Sequence, residues 1–118
     1  MKRLISMIII SLGFLPLMAQ NDYYIRQAQS YQREAEYYTK LALGYEREVA
    51  YYNQQAQSYL REAEYYSRRK NYDRVRTCQQ RAKNATDKAE NYAGKARYAR
   101  ERAQDYMKKA EYALKRAK

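Results

Sequence analysis

The chain has no histidine and no tryptophan, and only one cysteine, one proline and three glycines among its 118 residues. Without imidazole there is no Ser–His–Asp triad, no histidine base and none of the common zinc ligand sets. Three scattered glycines make no phosphate-cradling loop. One cysteine excludes an internal disulfide framework. The carboxylates are strewn along the chain without convergent spacing. The sequence therefore predicts no enzyme, no cofactor, no metal and no small-molecule substrate. Pro16 is the sole proline, and Gly44 and Gly94 are the only glycines past Gly13, so little beyond the N-terminus interrupts a helix.

Helix formers fill the space that these absences leave. Alanine, glutamate, glutamine, lysine and arginine dominate, alongside sixteen tyrosines. Tyr24, Ala28, Tyr31, Ala35, Tyr38 and Ala42 open a run of alternating three- and four-residue spacings that continues to Tyr66. The same rule restarts at Val75 and runs through Cys78, Ala82, Ala85 and Ala89 to Ala117. Each run is the a/d stripe of a heptad, with Tyr24 at d and Val75 at a. Nine residues separate Tyr66 from Val75, which is out of step with the heptad. A slip of about two residues, at about 100° each, turns the stripe to the opposite face. One straight helix would then need two partners, whereas a reversal needs none.

The predicted fold is all-α: a long antiparallel two-helix hairpin, coiled-coil-like, with a tyrosine/alanine seam. The first long helix is expected over residues 20–69, the turn over 70–73 and the second, basic helix over 74–118. Setting Tyr66 against Val75 places Tyr52 against Ala89, Tyr38 against Ala103, Tyr31 against Ala110 and Ala28 against Ala113. Each seam tyrosine meets alanine or valine, and no tyrosine faces a tyrosine, as close packing asks. At the flanking g positions, Glu62, Glu48 and Glu34 are expected to pair with Arg81, Lys95 and Lys109. Glu36 with Lys40 and Glu64 with Arg68 are further pairs along the first helix. Asp73 is the expected N-cap of the second helix, and Asn71 the left-handed residue that ends the first.

Lys2 and Arg3 followed by an apolar stretch to Met18 read as an export signal over residues 1–19, cleaved after Ala19. The expected location is periplasmic or secreted. Residues 20–69 hold seven basic and seven acidic side chains, and residues 70–118 hold fifteen and six. The second helix therefore carries the whole cationic excess. Arg74, Arg81, Lys88, Lys95, Arg102, Lys109 and Arg116 recur every seventh residue at g, a rail that is the candidate polyanion-binding site. Tyr37, Tyr51, Tyr65, Tyr98 and Tyr112, at c, form the candidate interaction face. Cys78 suits a small seam position, or in an oxidising compartment an intermolecular disulfide.

Tyr23–Glu36 (YYIRQAQSYQREAE) returns as Tyr51–Glu64 (YYNQQAQSYLREAE). Duplication by two heptads lengthens a rod in whole seam units. Lys70–Asn71–Tyr72–Asp73, with Arg74–Val75 and Arg81–Ala82, resembles the inter-helix turn of a tetratricopeptide repeat over about fifteen residues, but the periods here are not that family's 34. What is shared is helix–turn–helix chemistry. The functional expectation is an exported structural or adaptor protein, a homo-oligomer or the partner of another envelope protein. A polyanion-binding module is the alternative.

Overall fold

The computed structural model describes the backbone of residues 15–118 and the side chains of residues 21–118. The expected export signal, including its cut after Ala19, lies outside the residues whose side chains are described. Among the described residues there are two elements, α1 (Leu15–Arg68) and α2 (Tyr72–Ala117). They form the two-helix hairpin that the phase break predicts. Among the described residues, no helix is long and apolar enough to cross a membrane.

The reversal is a tight one. Asn71 N donates to the Tyr66 carbonyl at 3.0 Å and Lys70 N to that of Ser67 at 3.0 Å, while Lys70 adopts φ 61°. This is a Schellman closure, in which a left-handed residue lets two terminal carbonyls find donors. Asn71 then starts α2. Its Oδ1 accepts from Arg74 N at 3.5 Å, and its carbonyl accepts the first helical bond, from Val75 N at 3.2 Å. The capping roles therefore differ from the expected ones: Lys70 takes the left-handed place, and Asn71, not Asp73, is the N-cap. Because the cap falls at Asn71, α2 starts two residues earlier than the predicted 74. Asp73 lies inside the first turn, ion-paired with Arg76, where a carboxylate also favours the positive end of the helix dipole.

Every seam position read from the sequence, from Tyr24 to Tyr66 and from Val75 to Ala117, is buried or half-buried. The fully buried apolar residues are all seam alanines, apart from Cys78. Contacts gather into two compact units, residues up to Glu36 with Gln104–Lys118, and Tyr37–Ala103. In the first unit, Ala28, Ala110 and Ala113 form a buried cluster with Tyr31 packed on it, as the expected layers require. In the second, Ala42 and Ala99 are completely enclosed, each at 0% exposure.

Tyrosine avoids tyrosine only at directly opposed positions. Tyr92 lies between two rings of α1, stacked on Tyr52 at 5.8 Å and 6° and tilted against Tyr45 at 6.0 Å. In the other unit Tyr31 meets Tyr106 at 6.1 Å. A two-helix seam is open at its edges, so a ring can lean along the axis into the next layer and keep its hydroxyl in water.

Candidate functional site

The site grows out of the seam. On α1 the d tyrosines turn one edge outward, and the g positions of α2 bring cations over them. In the Tyr37–Ala103 unit, Arg74 lies 5.3 Å from the centre of the Tyr66 ring, Lys88 5.4 Å from Tyr52, Lys95 5.9 Å from Tyr45 and Arg102 5.6 Å from Tyr38. Lys95 also covers Tyr92 at 5.1 Å. In the other unit, Lys109 covers Tyr31 and Tyr106 at 5.9 and 5.0 Å, and Arg116 covers Tyr24 at 4.9 Å. Each such contact contributes about 0.5–1 kcal/mol where water has access.

The expected g–g ion pairs do not form. Neither Glu62–Arg81, Glu48–Lys95 nor Glu34–Lys109 is within salt-bridge reach among the described residues. Lys95 and Lys109 lie over tyrosine rings instead, and a lysine stem can lie on a ring without being desolvated at its tip. Of the two pairs expected along α1, Glu64–Arg68 forms at 2.8 Å and Glu36–Lys40 does not.

An ion pair that does cross the seam lies on the other side. Arg100 donates to both carboxylate oxygens of Glu46, at 2.8 and 3.0 Å. That hydrogen bonding, reinforced by the guanidinium charge, holds the Glu46 carboxyl below its ordinary range and raises Arg100 above its own. Sequence reasoning missed it, although both residues occupy e, and e faces e in an antiparallel pair by the same rule that was applied to g.

The five tyrosines of the candidate interaction face are exposed, with Tyr37 at 57%, Tyr51 at 52%, Tyr65 at 49%, Tyr98 at 59% and Tyr112 at 62%. On α1 each abuts its seam neighbour edge-on: Tyr37 and Tyr38, like Tyr51 and Tyr52, have ring centres 5.1 Å apart. The repeat thus recurs as a structural unit of exposed tyrosine, seam tyrosine and covering cation. In each unit the predicted rail and the predicted tyrosine face share the g side of the seam.

Grooves run along that side. One of 340 Å³ is lined by Tyr51, Tyr52, Gln55, Tyr59, Asn84, Arg81 and Lys88. A second, of 330 Å³, is lined by Glu62, Tyr66, Arg74, Thr77, Cys78 and Arg81. Arg81 borders both. In the other unit a groove of 380 Å³ is lined by Tyr31, Tyr112, Lys109 and Arg116 among others. Cys78 is 4% exposed, so an intermolecular disulfide there would require the seam to open. No group of acidic or cysteine side chains among the described residues could hold a metal ion. No family model matches the chain, and no curated protein or solved structure shows detectable similarity to it.

Proposed function

We propose that the chain is an exported, non-enzymatic helical hairpin that acts as a spacer or docking rod in the cell envelope or outside it, and that it associates with copies of itself or with another envelope protein. The observation that carries this reading is the seam. It repeats one alanine/tyrosine unit along both helices and spends its chemistry on register, so that functional groups are spread by the heptad instead of being gathered into one pocket. Alanine buries little apolar area, and larger apolar side chains stay outside, among them Leu60 and Met107 at 54% exposure. A second surface to cover them follows naturally. Sedimentation velocity on residues 20–118 tests the reading, with an elongated oligomer expected. A compact monomer would overturn it.

Polyanion binding is a second reading, supported by one observation. The rail cations Lys88, Lys95, Lys109 and Arg116 lie on tyrosine rings and not on carboxylates, so their charge is oriented without being neutralised. Retention on an anionic resin that weakens steeply with salt is the expected result.

A further inference from the structure

We propose that the groove bordered by Arg74, Arg81 and Lys88 is the docking site of a linear acidic polysaccharide. The proposal rests on the polyanion reading and assigns it a place and a ligand class. Arg81 is the centre of the site. Its neighbours on the rail are occupied, Arg74 by the ring and hydroxyl of Tyr66 and Lys88 by the ring of Tyr52. Among the described residues the Arg81 side chain makes no ion pair, hydrogen bond or ring contact, yet it borders two grooves of the Tyr37–Ala103 unit. A cation held free between two oriented cations suits a ligand that brings its own negative charges at matching intervals.

The interval selects the polymer. Seven residues of helix advance about 10.5 Å, which is the length of one disaccharide in an extended glycan that carries a single carboxylate per disaccharide. Nucleic acid sets its charges much closer together, at about 3.4 Å per strand in a duplex.

The groove walls select against bases as well. A single-stranded nucleic-acid site offers bare aromatic faces to successive bases. Here the Tyr52 face is covered by Lys88 and stacked on Tyr92, and the Tyr66 face is covered by Arg74. Tyr51 lines the groove edge-on to Tyr52, and the other polar groups toward it are the hydroxyls and amides of Tyr59, Gln55, Asn84 and Thr77. Those are partners for sugar hydroxyls. Glu62 also lines the second groove, and a sparsely charged chain accommodates one carboxylate more readily than a dense one does. Two copies of this side cannot cover each other, because each would bring its rail against the other's.

The test is calorimetric binding of hyaluronan oligosaccharides and of oligothymidylate with the same number of charges, to the exported chain at low ionic strength. The expected result is tighter binding of the glycan. Arg81→Gln should weaken it about tenfold, the loss of one charge-assisted hydrogen bond. Arg97→Gln, the same charge change at a b position of α2, should leave it unchanged. Oligothymidylate binding as tightly as the glycan, or equal losses in the two variants, would overturn the glycan site while leaving polyanion binding standing. Binding of neither polymer would overturn the polyanion reading itself. Circular dichroism of both variants checks that the hairpin is intact.

Discussion

Lys70 carries the least comfortable backbone angle in the described chain. A left-handed conformation costs an L-residue about 1–2 kcal/mol and glycine far less, part of which glycine gives back as unfolded-state entropy. Lys70→Gly should therefore raise stability by about 1 kcal/mol, read as a higher urea midpoint at constant slope. Asn71→Ala should lower it by about 1 kcal/mol, since it removes the N-cap oxygen. Glu46 makes a pH prediction. Its folded-state carboxyl is held below the ordinary glutamate value by Arg100, so the pair's stabilisation is complete above the normal carboxylate range and is lost as pH falls through the depressed value. Raised Arg100 contributes no change in that window. Thermal melts of the wild type and Glu46→Gln should differ at neutral pH and converge in acid. A constant difference at all pH values would contradict the ionic origin. Of these residues the sequence pointed to the right neighbourhood but the wrong atoms. Both Asn71 and Asp73 are capping residue types, and nothing in a lysine marks it for a positive φ.

The seam is the element that the sequence disclosed most fully, because period and size alternation agree on it. Two independent signals, the a/d spacing and the opposition of tyrosine to alanine, converge on the same layers, and the phase break between Tyr66 and Val75 has one economical solution. The flanks were less legible. Heptad rules rank a glutamate as the best neighbour of a lysine, whereas a seam rich in tyrosine supplies an apolar bed for the lysine stem, and so Lys88, Lys95 and Lys109 settled on rings. The enclosed Ala42 and Ala99, at 0% exposure, show how little space the layers leave. Ala99→Leu should destabilise the hairpin by about 1–3 kcal/mol through overpacking. Ala50→Leu, on the exposed b face, should shift stability by no more than about 0.5 kcal/mol. Chemical denaturation of the two variants tests whether alanine is required for close approach or merely tolerated there.

For the whole molecule the decisive quantity is how much apolar surface one chain can hide from water. No large side chain is fully buried among the described residues, and alanine layers add little each, so a lone hairpin has a thin margin over its conformational entropy. The two long sides of the seam are unequal in what could widen that margin. The g side carries the cationic rail, which repels a second copy. In the Tyr37–Ala103 unit the e side carries Leu60, exposed at 54%, and the Glu46–Arg100 pair, which neutralises itself; in the other unit it carries Ile25, Met107 and Leu114, exposed at 39% or more. Self-association should therefore use the e side and leave the g side to an acidic partner. Folding that is linked to association makes the midpoint of melting depend on concentration. The thermal midpoint should rise by several degrees over a hundredfold increase in protein concentration, and Leu60→Ser with Met107→Ser should remove the dependence while leaving the helical signal at low concentration. A midpoint that does not move with concentration in the wild type would mean that the alanine seam alone holds the hairpin, and that the apolar e positions serve some partner other than a second copy.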